Sequence, residues 1–325
     1  MKSLWREILM AIGMGMILPG IVLNYSVDDT APTRQHESIT IQLTQPQPEK
    51  ISLKMKLRLP DGSLQEMEMD DYLVGVILGE LPANFEADAK KAQAVAARTF
   101  ARKAAETGGK HGDGSVCTDA GCCQAYCPAE DYLSRGGSEE AIRQAEDAVL
   151  ATSGYVLTFE GGLIEATYFS CSGGTTEDAV AVWGTDFPYL RATASPGEEH
   201  AAHFTDTVYF TKRELEDKLG ISLDGAFDHW LGNITYTPGN GVKTIIIGRQ
   251  SFTGTQVRSL LGLRSTAFTM SADPGGITVV TRGFGHRVGM SQYGADAMAA
   301  SGSSWQEILN HYYPGTTLEL TNPDG

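Results

Sequence analysis

Glu80 is the carboxylic acid of this chain whose surroundings best suit acid–base chemistry. It follows an apolar run over residues 72–78 and stands two positions before Pro82, a residue that fits the entry turn of a helix. Burial among apolar side chains would raise the pKa of this carboxyl, as a general acid working near neutral pH requires. Glu86 is a rival candidate, but at the start of the next helix it is better explained as stabilising the helix dipole.

Basic residues of the helix predicted over about residues 86–106 share one face. Lys91, Arg98 and Arg102 follow one another at spacings of seven and four, which places them on the same side of a helix. We expect Lys91 and Arg98 to contact carboxylates of an anionic substrate or to support Glu80. The alternative is an ordinary basic face covered by solvent.

Three segments, in the same order, resemble the stage II sporulation protein D family of peptidoglycan lytic transglycosylases. Together they span roughly residues 55–316, which is nearly all of the chain beyond its apolar N-terminus. The first combines residues 80–86 with 90–99, the second covers 168–177 with Trp183 behind it, and the third covers 283–295.

The resemblance implies a lyase that cuts peptidoglycan glycan strands between N-acetylmuramic acid and N-acetylglucosamine with a single acid. Ordinary glycosidases use two carboxylates. A lytic transglycosylase instead protonates the leaving oxygen, and the C6 hydroxyl of the muramic acid attacks the anomeric carbon to give a 1,6-anhydro end. Glu80 would act as both acid and base. The resemblance also implies a role in engulfment during sporulation, a peptide-stripped substrate and stimulation of a partner cell-wall amidase.

Hydroxyl side chains cluster at the end of a strand predicted over residues 163–169. Tyr168, Ser170 and Ser172 stand where side chains could hydrogen-bond sugar hydroxyls. Their alternative role is to satisfy the backbone of the turn that follows, and the two roles are compatible.

A glycine-rich segment carries a second set of candidate substrate-binding residues. Glycines on both sides of His286 allow a ligand to approach the backbone closely. His286 could orient substrate or assist proton transfer, and a packed structural histidine is an equal alternative. Ser291 is predicted to cap the next helix, and Gln292 and Tyr293 are predicted to bind sugar.

The spacing of His111, Cys117 and Cys123 predicts a zinc site. These residues are six positions apart, with glycine-rich chain between them, and supply the nitrogen and sulfur ligands that zinc prefers. Adjacent cysteines rarely bind one metal, so Cys122 is left out, and Cys127 or a non-cysteine group is the expected fourth ligand.

The family resemblance also favours zinc, because some members look to carry it at such a site. The alternative is disulfide bonding, which is natural for an exported protein. The five cysteines would then leave one thiol over.

The N-terminus predicts export. Residues 1–26 combine a basic start with a sixteen-residue apolar run over 8–23. We expect an uncleaved single-pass anchor in the cell membrane, with the rest of the chain outside the cytoplasm. A cleaved signal peptide is the alternative. Residues 27–50 are polar and contain three prolines, which indicates a linker.

Composition limits the class of partner. The formal net charge of −15 argues against nucleic acid, whose phosphates would repel the chain. An anionic polymer would therefore have to be held in a local basic groove. With 325 residues and 42% hydrophobic content, the chain can bury one large core or two smaller ones.

The arrangement of predicted elements indicates an α+β fold. Residues 51–320 should form one exported catalytic domain of mixed helices and antiparallel strands, in which residues 195–280 are an elaborating subdomain. Strands and helices do not alternate regularly, so a doubly wound parallel sheet is not expected.

Two other function classes fit parts of the sequence. A zinc-dependent peptidoglycan amidase would need metal ligands around an open water site, but the chain has no histidine-rich set such as His-x-x-Glu-His. A non-catalytic module that binds glycan and activates a partner amidase would bind without turnover. The lyase is favoured because the acid, the basic face and the glycine-rich segment occur together.

Overall fold

The computed structural model describes residues 53–321. The predicted anchor over residues 1–26 and the predicted linker over 27–50 lie outside this range, as does the start of the predicted catalytic domain at residue 51. Within 53–321, no helix is both long and apolar enough to cross a membrane.

Helices are spread along the whole described range. They are α1 Met69–Glu80, α2 Ala87–Thr107, α3 Ala129–Ser134, α4 Glu139–Ala151, α5 Ala179–Trp183, α6 Lys212–Leu219, α7 Gly254–Leu261, α8 Gln292–Ala300 and α9 Trp305–Tyr312, with a short 3-10 helix at Phe227–His229.

The strands are mostly short. They are β1 Lys54–Arg58, β2 Leu64–Glu68, β3 Val116–Cys117, β4 Tyr155–Phe159, β5 Gly162–Leu163, β6 Tyr168–Phe169, β7 Thr205–Thr211, β8 Leu231–Tyr236, β9 Val242–Ile247, β10 Gln250–Thr253, β11 Ala267–Asp273, β12 Gly276–Arg282, β13 Met290–Ser291 and β14 Thr317–Leu320.

The strand pairing confirms a mixed α+β fold. Antiparallel pairs build the sheets β10-β9-β8, β11-β12-β7 and β14-β4-β5. Two short parallel pairs, β1 with β3 and β6 with β13, were not foreseen in the sequence. Both join segments that are far apart in the chain, so they tie the fold together across long loops.

Two apolar cores lie under these elements. One is built around the buried faces of α1, α2 and α9 and includes Tyr72, Val95 and Ile308. The other lies between residues 210 and 279, where α6 and α7 pack on strands β7 to β12.

The turn between β8 and β9, residues 237–241, forms hydrogen bonds with two charged side chains, Arg287 and Glu177. Neither of these residues is part of the second core. The Arg287 guanidinium donates to the Gly239 carbonyl (2.6 Å), and the Gly239 N–H donates to Glu177 (3.1 Å). Arg287 and Glu177 are both buried, with their nearest charged atoms 3.9 Å apart.

The two helices around Glu80 form as a pair. The predicted long helix is confirmed to within a residue as α2, and it ends at Gly108, whose φ of 87° only glycine adopts without strain. The preceding helix is longer than predicted, because Asp70 lies inside its first turn and does not cap it. Glu80 is therefore the last residue of α1.

Arg98 holds α1, α2 and α4 together from inside the protein. Its guanidinium donates to the Thr152 carbonyl (2.7 Å) and to the Asp70 carboxylate (3.3 Å), and it is only 2% exposed. Removing it would leave a buried carboxylate and several buried carbonyls without their donor.

We therefore expect Arg98→Met to lower the free energy of unfolding by about 3 kcal/mol or more. Urea denaturation of the full-length chain measures this. The control is Arg143→Met, since Arg143 is an exposed arginine on α4 whose loss should change stability little. Equal stability of the two variants would contradict the structural role of Arg98.

Candidate active site

Glu80 opens into a cleft of about 740 Å³. The cleft is built by segments that are distant in sequence: the end of α1, the cysteine segment, the chain around β6, the end of α5 and the glycine-rich segment. Its walls include Glu80, Phe100, Lys110, Cys122, Cys123, Gln124, Ala125, Glu165, Tyr168, Ser170, Trp183, Phe187, Phe284, His286 and Gln292.

The Glu80 carboxyl is fixed by two donors. The Ala125 backbone N–H donates to Oε1 at 2.6 Å, and the Gln292 side-chain amide donates to Oε2 at 3.0 Å. Burial raises the pKa of Glu80, and these two hydrogen bonds offset part of that rise because they favour the ionised form. The group is thus suited to carry a proton and, after releasing it, to remain in place as a carboxylate.

Gln292 is placed by the start of α8. Ser291 caps this helix and accepts the Gly294 N–H at 3.2 Å, as the sequence predicts. Just before it, β13 pairs in parallel with β6, so that Met290 lies opposite Tyr168. The strand predicted over 163–169 forms as two separate short strands, because β5 pairs with β4 whereas β6 pairs with β13.

His286 reaches the cleft as a neutral imidazole. Burial lowers its pKa to about 4. Its Nδ1 accepts the Val288 N–H at 3.1 Å, which assigns the ring proton to Nε2. Such a ring can donate a hydrogen bond but carries no charge at neutral pH.

The structure brings together five of the predicted catalytic and substrate-binding residues in one cleft: Glu80, Tyr168, Ser170, His286 and Gln292. Tyr168 is enclosed, and burial raises the pKa of its hydroxyl well above the usual value. The hydroxyl therefore stays protonated, and its oxygen is buried beside the Gln124 side chain.

Lys91 and Arg98 do not line this cleft, contrary to the sequence expectation. Arg98 is turned inward and engaged by Asp70, and Lys91 faces Asp88 at 3.5 Å. The expectation of an open basic groove on α2 is therefore wrong. Lys110 supplies a cationic group on the cleft wall, with its ammonium donating to the Cys122 carbonyl.

Ser172 and Tyr293 also lie away from the cleft. Ser172 is fully buried, and both its N–H (2.8 Å) and its hydroxyl (2.9 Å) donate to Glu198. The Tyr293 ring packs edge-on against Phe85 at 5.0 Å. Ser172 stabilises the turn after β6, and Tyr293 packs α8 against Phe85. Both elements flank the cleft, which explains why the two residues lie in segments that were predicted to bind substrate.

Several cleft residues were not foreseen as site residues. Ala125 acts through its backbone, Gln124 and Phe100 reach the cleft through packing, and none of these leaves a sequence signal. Phe284 does leave one, because an aromatic residue between two glycines of a conspicuous segment indicates an exposed ring.

His111, Cys117, Cys122 and Cys123 form one cluster beside the cleft. Their ligand atoms all lie within 4.8 Å of one another. His111 Nε2 is 3.8 Å from Cys122 Sγ and 3.6 Å from Cys123 Sγ, and the two sulfurs are 3.9 Å apart. Ligand atoms around a tetrahedral zinc stand about 3.5–3.8 Å apart, so the donor set fits zinc in chemistry and spacing.

The cluster includes a cysteine that the spacing argument left out. Cys122 belongs to it although it adjoins Cys123, while the Cys127 thiol lies near the Pro128 carbonyl instead. All five cysteines, which lie within the described range, carry free thiols.

The fold and the cleft thus define an α+β protein with one desolvated acid held beside a nitrogen–sulfur ligand cluster. A family model described as stage II sporulation protein, SpoIID, matches residues 62–159. Stage II sporulation protein D of Bacillus subtilis (strain 168) is 38% identical over 266 residues, covering 80% of this chain and 77% of that protein. The chain belongs to the stage II sporulation protein D family.

Other relatives extend this result. Stage II sporulation protein D of Bacillus amyloliquefaciens is also 38% identical over 266 residues, with the same coverage. A protein of Bacillus subtilis named amidase enhancer is 29% identical over 302 residues, which cover 76% of this chain and 40% of that protein.

The hydrogen bond from Gln292 yields a test of the site. We expect Gln292→Met to raise the pKa of Glu80 further, because the variant removes a donor that favours the carboxylate. Titration of ¹³C-labelled glutamate carboxyls by NMR measures this, with the Glu80 signal identified by its absence in Glu80→Gln. Gln306→Met, an exposed site on α9, is the control. An unchanged or lowered Glu80 pKa in Gln292→Met would contradict the assigned geometry.

Proposed function

We propose that this protein is a lytic transglycosylase that cleaves peptidoglycan glycan strands, with Glu80 as its acid and base. The observation that carries the proposal is a partly buried carboxyl, fixed by two donors, at the wall of a cleft of about 740 Å³. The family membership supports the same activity. The cleft's other carboxylate, Glu165, is paired with Lys103 at 3.1 Å.

The reaction balances with this one acid. The protonated Glu80 gives its proton to the glycosidic oxygen as the bond between that oxygen and the muramic acid C1 breaks. The C6 hydroxyl of the same sugar attacks C1, and the Glu80 carboxylate takes up the hydroxyl proton. The products are a 1,6-anhydro-muramic end and a free hydroxyl on the departing sugar, and no water is consumed.

The neighbours of Glu80 suit both halves of this reaction. Burial favours the protonated acid needed for the first step. The Ala125 N–H and the Gln292 amide stabilise the carboxylate that follows it. Ser170, on the cleft wall, offers a hydroxyl to the hydroxyl and acetamido groups of a sugar.

The biological setting is part of the proposal. The relatives' names support a role in sporulation, where cell wall is remodelled during engulfment, and the relative named amidase enhancer supports a partner cell-wall amidase. We place the catalytic part outside the cytoplasm, attached to the cell membrane by residues 1–26. A non-catalytic activator of an amidase is the second candidate.

We further propose that His111, Cys117, Cys122 and Cys123 bind zinc as a structural ion. When bound, zinc would cross-link the cysteine segment, and that segment supplies Ala125 to Glu80. Four protein ligands complete a tetrahedral site and leave no open position for a reactive water. This argues against the zinc-dependent amidase alternative.

The activity is tested on purified peptide-free glycan strands treated with the full-length chain. Mass spectrometry should find 1,6-anhydro-muramic ends, and Glu80→Gln should form them about 10³-fold more slowly because it keeps the shape but has no proton to give. Glu86→Gln, which changes an exposed carboxylate at the start of α2, is the matched control.

The other outcomes separate the alternatives. Reducing ends that disappear in Glu165→Gln would identify a two-carboxylate hydrolase. Retention of glycan without any cleavage, together with stimulation of an amidase, would favour the activator.

The metal proposal predicts about one equivalent of zinc in the purified full-length chain, measured by elemental mass spectrometry. Cys122→Ser should lose most of it and lower the thermal unfolding midpoint, because the loop loses its cross-link. Cys127→Ser should keep the metal. Equal zinc content in the two variants would exclude the assigned ligand set.

A further inference from the structure

Two aromatic rings on the cleft wall remain exposed to solvent. Trp183 is 41% exposed and Phe284 is 37% exposed, and both line the cleft that contains Glu80. The other tryptophans in the described range, Trp230 and Trp305, are buried. Exposed apolar surface costs about 25 cal/mol per Å², so large rings left open in a cleft indicate a site that a ligand covers.

The Trp183 ring is held in place. Trp183 ends α5, and the left-handed Gly184 terminates the helix directly after it. Its ring lies 5.2 Å from the His286 ring, which in turn lies 5.6 Å from Phe169, a buried residue of β6. The three rings form a continuous contact from the core to the open cleft, so that Trp183 loses little freedom when it binds a ligand.

The Phe284 ring is held by its backbone and by a cation. Its N–H donates to the Cys171 carbonyl (2.7 Å), and its carbonyl accepts the Cys171 N–H (3.1 Å). A Cβ on Gly283 would lie 2.6 Å from that same Cys171 oxygen, so only glycine permits this approach. The Arg264 guanidinium stacks on the ring at 5.2 Å, which fixes its tilt.

Flat, exposed and immobile rings suit sugars. The face of an aromatic ring is negative, and the axial C–H groups of a pyranose are slightly positive, so the two stack. The same cleft wall carries the polar side chains of Ser170 and Gln292, which suit the hydroxyl and acetamido groups at a sugar's edge. A peptide ligand would instead need an open strand edge or paired charges.

We infer that Trp183 and Phe284 are stacking platforms for two sugar rings of a β-1,4-linked N-acetylhexosamine strand. This inference rests on the glycan substrate of the proposed function, but not on the bond that is cleaved. It assigns recognition of the strand to the aromatic walls, and it accounts for how a chain with a net charge of −15 holds an anionic polymer although Arg98 and Lys91 of α2 are engaged by Asp70 and Asp88.

The test measures binding in the full-length Glu80→Gln chain, where cleavage is suppressed. Peptide-free glycan strands are titrated by calorimetry and by tryptophan fluorescence. Trp183→Leu should weaken binding about tenfold, and Phe284→Leu several-fold, because each removes a stacking face while keeping apolar bulk. Trp183→Phe should retain most of the affinity but lose the fluorescence change.

The control is Tyr236→Leu, which removes a 52% exposed aromatic that does not line the cleft and should bind like the parent. Circular dichroism and thermal unfolding confirm that each variant is folded. Unchanged glycan affinity in both Trp183→Leu and Phe284→Leu would overturn the inference. If these two variants kept their glycan affinity but no longer stimulated an amidase, the inference would also be overturned. The two rings would then contact a protein partner.

The two proposals fail separately. Aromatic-dependent glycan binding without anhydro products from the wild-type chain would retain the stacking platforms and refute the lyase. Anhydro products with affinity independent of both rings would retain the lyase and refute the platforms.

Discussion

The partial burial of the Glu80 carboxyl is the constraint on which the site depends. A buried carboxyl is costly to ionise, and burial raises its pKa. Two hydrogen-bond donors, the Ala125 N–H and the Gln292 amide, lower the free-energy cost of ionisation. They lie 45 and 212 positions further along the chain than Glu80. The fold must therefore bring three distant segments to one point, and its long-range tertiary links serve this end.

Those links are short and specific. The parallel pairing of β6 with β13 places Gln292 next to the strand that carries Tyr168. Behind it, the buried Glu198 accepts hydrogen bonds from Ser172, Gly173 and Ser195, and so fixes the turn after β6. The histidine–cysteine cluster brings together the ends of the loop that precedes Ala125. The packing of these segments and the hydrogen bonds near Glu80 therefore depend on the same tertiary contacts.

Local features of the sequence predicted local features of the structure. The long helix, the cap at Ser291 and the prominence of Glu80 all follow from spacing, capping chemistry and apolar context within a few residues. The surroundings of Arg98 and Cys122 differ from the sequence expectation for a common reason. Helical spacing places Arg98 on a face but cannot show that Asp70 and the end of α4 lie against it. Adjacent cysteines look incompatible until the loop is seen to turn both thiols to one side.

The cleft walls were the part hardest to predict. Ala125 acts through a backbone N–H, and Trp183 lies on the cleft wall with its ring against His286, which in turn packs against Phe169. Neither relation leaves a pattern in the sequence, since each depends on tertiary packing between distant segments. Phe284 is the exception, because the glycines on either side of it indicate that the backbone there packs closely against another segment.

The central claim is that the Glu80 carboxyl meets the glycosidic oxygen of a glycan strand lying in this cleft. A crystal structure of the full-length Glu80→Gln chain with a peptide-free tetrasaccharide of the glycan strand tests it most directly. The account predicts a glycosidic oxygen within about 3 Å of the side-chain amide at position 80, the distance of a hydrogen bond. A strand bound elsewhere, or one whose scissile bond faces Glu165, would contradict it.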